Sequence, residues 1–174
     1  MRSMVVYESY FGCTQQVAEA IGAGLTCYGT VHVLPVAQAR GMRAIDVDLL
    51  VVGGPTHAHA MTSAHSRESA VDRGADGVSA EAPAYGLREW FDEIEQGAGP
   101  AAAFDTRIDA SALMTGRASK GIAHRLRRHG FHLVAEPESF LVSHDTLLPD
   151  EAARARSWAE GLGRIIVQTP ASVR

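Results

Sequence analysis

The stretch from Val5 to Leu25 leaves this chain few choices. A short apolar run, Val5-Val6-Tyr7, stops at the loop Ser9-Tyr10-Phe11-Gly12-Cys13-Thr14, and a helical pattern starts at once, with Val17, Ala20, Ile21 and Leu25 spaced to share one face. That is strand, tight turn, helix. The first N–H groups of such a helix have no partner inside it and point back at the turn, which makes the turn a place for an anion, most often a phosphate. Ser9 and Thr14 bracket the loop with hydroxyl donors, and Gly12 lets the backbone fold tightly beneath a ligand. Neither Lys nor Arg occurs between Ser9 and Thr14, so the ammonium that a nucleoside-triphosphate loop needs is missing, and so is a Gly-x-Gly-x-x-Gly dinucleotide signature. What remains is a neutral cradle suited to one phosphate monoester. The plainer reading is that Ser and Thr stand there as helix caps.

The same alternation continues downstream. Val31 to Leu34 reads as a second strand ended by Pro35, and Asp46 to Gly54, an apolar run between acids and glycines, as a strand covered on both faces. From Gly54 to about Ala84 runs a connection longer than a typical βα loop, with a short helix expected over Ser66 to Arg73. Leu87, Trp90, Phe91 and Ile94 form a helical stripe, Ala101 to Thr106 a fourth strand, and Ala118 to His129 a basic helix stopped by Gly130. Phe131 to Val134 starts a fifth strand, Glu136-Pro137 interrupts it, and Ser139 to Val142 completes it. The last helix opens at Pro149-Asp150-Glu151 and carries the stripe Ala155, Trp158, Ala159, Leu162, Ile165 and Ile166. Five strands alternating with helices predict an α/β three-layer sandwich: a five-stranded parallel, doubly wound sheet with helices on both faces. Ligands in such folds lie beyond the carboxyl ends of the strands, where residues 9–14, 54–61 and 105–116 would meet.

At 174 residues, one domain over the whole chain (1–174) is the expectation. No apolar run approaches the ~20 residues needed to cross a bilayer, and no signal or transit peptide is visible, so a cytoplasmic chain is expected. A net charge of −4 gives no general reason to expect nucleic-acid or membrane binding. The two cysteines, Cys13 and Cys27, are too few for a disulfide framework. Cys13 at a helix start could favour a thiolate, but filling the turn is the simpler role.

The Ser-x-x-Gly-x-Thr loop after the first strand resembles the phosphate-binding loop of flavodoxins and related FMN proteins. Phe11 and Cys13 depart from the usual hydroxyl and Asn at their places; an aromatic there is more similar to the modules of flavodiiron proteins and to small flavodoxin-family proteins of actinobacteria. The likeness extends to Gly53-Gly54-Pro55-Thr56-His57-Ala58-His59, to Thr115-Gly116-Arg117-Ala118-Ser119-Lys120-Gly121, and to Pro137-Glu138-Ser139-Phe140-Leu141-Val142. It implies a flavodoxin-like fold with FMN as cofactor, its phosphate in the first loop and its ring clasped by the other two. On that basis Ser9, Tyr10, Phe11, Gly12, Cys13 and Thr14 would hold the phosphate end. Pro55 and Thr56 would turn the chain, His57, Ala58, His59 and Met61 would border the ring, and Asp105, Thr106 and Arg107 would follow the fourth strand at its other side. A guanidinium there would favour a reduced, anionic ring. Neither ring loop carries the Trp and Tyr of a typical electron carrier.

Two other readings stand beside this one. His57, His59 and His65 contain the ligand type zinc prefers, but their spacing matches no standard metal motif, so no metal site is expected. The basic run from Arg117 to His129 contains no acid, while Glu81 to Glu95 contains five acids and only one base; the two are expected to balance one another as solvated faces, and a functional basic run would dock an acidic redox partner or a nicotinamide dinucleotide phosphate rather than DNA. The function implied is electron transfer, as a carrier or as a small NAD(P)H- or quinone-type reductase, with a redox protein or a small acceptor such as a quinone as partner, and a homodimer as a further expectation. The rival is a binding or regulatory module that keeps the fold and has lost the flavin.

Overall fold

The computed structural model describes residues 1–57, 60–63, 85–111 and 115–168. Strand β1 (Arg2–Tyr7) leads into helix α1 (Cys13–Leu25), β2 (Thr30–Pro35), β3 (Leu49–His57) and the short β4 (Ala60–Met61). Then come α2 (Leu87–Glu93), β5 (Pro100–Ile108), α3 (Ala118–Arg128), β6 (His132–Leu133), β7 (Glu138–Ser143), β8 (Thr146–Leu147) and α4 (Glu151–Gln168). The central order is β2-β1-β3-β5-β7, all parallel, with β6 pairing alongside β5 and β8 returning antiparallel on β7. The five-stranded parallel sheet is therefore as expected, including a fifth strand in two pieces, β6 and β7, both on β5.

The inner strands β1, β3 and β5 are buried on both sides, which is why β3 reads as an unbroken apolar run, whereas the edge strand β2 stays partly exposed. Consecutive residues alternate between two cores. Val5, Val51, Ala102 and Phe104 pack under α1 and α4 against Val17, Ile21, Leu25, Ala159 and Leu162. Met4, Val6, Leu50, Val52, Ala101 and Ala103 pack under α2 and α3 against Trp90, Phe91, Ile122 and Leu126. Each Val, Leu, Ile, Met or Phe among them contributes about 1.5–3 kcal/mol on leaving water. The alanines of β5 are weak strand formers, yet their small size lets α3 lie close to the sheet. On the other face α1 and α4 approach closely at Gly24, where a Cβ would stand 2.5 Å from the Arg156 carbonyl oxygen.

Three local readings need correction. Pro55 and Thr56 do not turn the chain: β3 runs on to His57, with Pro55 opposite Thr106 of β5. The β1–β3 ladder ends at Tyr7 opposite Gly53, so beyond that point β3 is paired in the parallel sheet on one side only, where a residue without an N–H is tolerated. Asp105, Thr106 and Arg107 likewise belong to β5 rather than to the loop after it. The return of β8 through a tip at His144-Asp145 was not anticipated, because His-Asp is not one of the dipeptides that mark a tight hairpin. Gly130 does hold the left-handed conformation expected after α3, with φ 88°. The segment 66–73, read as a short helix, lies outside the described residues. Among the described residues no helix is long and apolar enough to cross a membrane.

Candidate functional site

The strand order reverses between β1 and β3, and beyond the carboxyl ends of the strands there lies a cleft of about 740 Å³. Its walls come from four places: Ser9, Tyr10, Phe11, Cys13 and Thr14 after β1; Pro55, Thr56 and His57 at the end of β3; Thr106, Arg107, Ile108 and Thr115 from β5 onward; and Val142, His144 and Asp145 at the β7–β8 tip. The volume falls within the ~300–1,000 Å³ usual for a small-molecule or cofactor site.

The first loop is shaped by Gly12, whose φ of 84° is strained for any residue with a Cβ. The Gln16 N–H closes on the Gly12 carbonyl at 3.0 Å and the Gln15 N–H on Ser9 Oγ at 3.3 Å. The N–H groups of Cys13 and Thr14 find no acceptor among the described residues. Because Ser9 Oγ only accepts in that contact, its own proton stays available to a ligand. The Thr14 hydroxyl is not wholly free: it shares a 2.7 Å hydrogen bond with Thr106 Oγ1, both groups being buried. One proton is used between the two oxygens and one is left over. The Cys13 thiol is held above its ordinary value by burial and then by the nearby Asp145, so it sits in the turn as a neutral filler.

Tyr10 turns inward, away from the role of an exposed stacking surface. Its hydroxyl donates to Glu8, a carboxylate only 4% exposed, which also accepts from the Thr62 hydroxyl and, at 2.9 Å, from the Leu87 N–H. The Tyr10 ring meets His57 edge-on at 6.3 Å. Phe11, half-buried, and the imidazoles of His57 and His144 are the flat groups left along the walls.

The predicted ring-side residues divide. Thr56 lines the cleft while its Oγ1 accepts the Ala118 N–H at 2.9 Å. Asp105 is fully buried and absent from the walls; its Oδ2 accepts the Ser119 N–H at 2.7 Å. Both therefore cap the start of α3 from neighbouring strands. Arg107 does line the cleft, but one terminal nitrogen folds back to donate to the Ala110 carbonyl at 2.6 Å. Ala58 and His59 lie outside the described residues, as does His65 of the considered metal cluster, and Met61 does not border the cleft but is buried in the core with Ile122 and Leu126. Among the described residues no three His, Cys, Asp or Glu side chains gather to hold a metal ion.

His144 and Asp145 were missed. The signal was available, since they follow β7 as the first loop follows β1, and polar residues just past a parallel strand face this end of the sheet. His144 adopts φ 51° at the tip.

No protein-family model and no curated protein matches the chain. Solved structures do. A flavodoxin from the domain Archaea superposes with a TM-score of 0.68 at 18% identity, covering 97% of this chain and all of the other. The oxidised flavodoxin 2 from Bacillus cereus gives 0.63 at 17% identity, over 97% and 99% of the two chains. Rubredoxin oxygen:oxidoreductase from Desulfovibrio gigas gives 0.63 at 13% identity, over 95% of this chain but only 36% of that longer one. Together with the β2-β1-β3-β5-β7 order and a cleft at its switch point, these likenesses show that the chain has the flavodoxin-like fold.

Proposed function

We propose that the cleft binds FMN and that the protein passes electrons to or from a redox protein or a small acceptor such as a quinone. The observation that carries this reading is the opening of α1: two N–H groups without an acceptor among the described residues, and the Ser9 hydroxyl, gathered at the β1/β3 switch point. That donor set fits a single phosphate monoester. Phe11 and His57 supply flat surface for a ring, and the end of β3 from Pro55 supplies backbone beside it. The bound flavin would bring the electron chemistry; the chain binds, orients and tunes it. Arg107 on the cleft wall favours an anionic, reduced ring relative to an acid-lined pocket.

Titrating FMN with the purified chain tests the reading. Quenching of FMN fluorescence with a dissociation constant of about 1 μM or tighter, and weaker binding of riboflavin, which lacks the phosphate, is the expected result. No quenching at about 10 μM protein overturns it and leaves the flavin-free binding module. For the loaded protein, stopped-flow reduction by NADH and by NADPH separates a carrier from a reductase.

A further inference from the structure

Among the described residues, the acids from Glu89 to Glu95 turn mostly to partners other than α3, whereas the charge pattern of the sequence predicts mutual balance. Glu93 pairs with Arg40 at 3.2 Å, Glu95 with Arg43 at 3.4 Å, and the Glu89 carboxylate accepts the Gly86 N–H. Asp92 reaches across, to Arg125 at 3.4 Å. Lys120, His124, Arg127 and Arg128 are exposed and make no ion pair among the described residues. Their spacing puts them on one stripe of the helix, opposite the buried Ala118, Ser119, Ile122 and Leu126. The stripe is about 12 Å long, from a rise of about 1.5 Å per residue. Its near end is one turn from the site, because the Ala118 N–H is bonded to Thr56 on the cleft wall.

From this placement we infer that the cationic stripe of α3 is the docking surface for an acidic redox protein, oriented so that its own centre faces the cleft. The inference rests on the electron-transfer reading above. A convex helix face offers no enclosure for a small dinucleotide, which binds in concave sites. Nucleic acid is disfavoured by the lack of aromatic side chains on the stripe. An acidic protein surface meets both conditions, since long-range attraction speeds encounter and rim charges set orientation.

The test compares two haem proteins as probes: the acidic haem domain of cytochrome b5 and the basic cytochrome c. With FMN-loaded, chemically reduced protein, the rate of electron transfer to the acidic probe should fall about tenfold or more between about 20 and about 300 mM salt, and the rate to the basic probe should not. The combined substitution Lys120→Glu, Arg127→Glu and Arg128→Glu should cost the acidic probe about tenfold at low salt. The neutral set Lys120→Gln, Arg127→Gln and Arg128→Gln, which spares the end of the helix a repulsive charge, should give an intermediate loss. Association of the acidic probe with flavin-free protein, read by isothermal titration, should follow the same order. That arm tests the surface even if FMN fails to bind. Rates and affinities unchanged within about twofold in both variants overturn the proposal, as does salt sensitivity confined to cytochrome c. Stripe-dependent binding of a single-stranded oligonucleotide in preference to the acidic haem domain also overturns it.

Discussion

Two helices begin at the same end of the sheet and are finished differently. At α3 the first two N–H groups are taken by side chains from other strands, Ala118 by Thr56 and Ser119 by Asp105. At α1 the first two, on Cys13 and Thr14, have no acceptor among the described residues, and Gly12 at the cap position has no side chain to offer. Both ends carry the same positive dipole and the same need for acceptors. One has met the need internally and is structure; the other is the end that the proposed FMN phosphate would satisfy.

The largest effect that could break this contrast is at Asp105. Replacing it with Ala orphans the buried Ser119 N–H and leaves a void, and should cost about 2–4 kcal/mol, seen as a lowered urea midpoint, with a much smaller change in FMN affinity. The opposite outcome would make the α3 start a ligand site. Gly12→Ala should do the reverse. A Cβ there meets open space, with the nearest atom, Gln16 Nε2, at 4.0 Å, so only the φ of 84° is penalised, by about 1–2 kcal/mol. Because relaxation of that strain re-aims the two open amides, FMN affinity should drop about tenfold or more in a fluorescence titration. Thr56→Val keeps the shape of the strand and removes the cap on Ala118; a loss of about 1 kcal/mol in chemical denaturation is expected.

The smallest effect sharpens the contrast through pH. His129 follows α3, stacked on Phe91 at 6.0 Å, and burial, then Arg125 and Arg128, hold its imidazole below the ordinary value. A group depressed in the folded state gives stability that is present above the unfolded value of about 6.5 and is lost as pH falls through the folded value. The urea midpoint of the parent should therefore fall more between about pH 8 and pH 5 than that of His129→Gln. A difference that stays flat over this range would show that the end of α3 does not sense protonation.

Much of the architecture was legible because its signals are local. The run Leu49 to Val52 can only be a strand covered on both sides, and Glu136-Pro137 marks the break between β6 and β7. The shape of the first loop was legible too, since Gly12 just past a strand marks a tight turn into a helix. What could not be read was the choice of partner over distance. Thr14 finds Thr106 across 92 residues, and Asp105 finds Ser119 although the loop before α3 intervenes. No spacing rule distinguishes a hydroxyl or carboxylate that will meet a ligand from one that will cap a neighbouring helix. The imbalance of α3 escaped for the same reason: five acids lie between Glu81 and Glu95, but Arg40 and Arg43 claim two of them.

Glu8 has a mechanical consequence. Its two oxygens are gripped by Tyr10, by Thr62 and by the first residue of α2, so three separate pieces of chain are clamped at one point directly behind the cleft. Tyr10 cannot swing outward without either breaking that clamp or dragging α2 with it. Displacing Tyr10 would therefore remove one of the donors that hold a carboxylate buried behind the first loop.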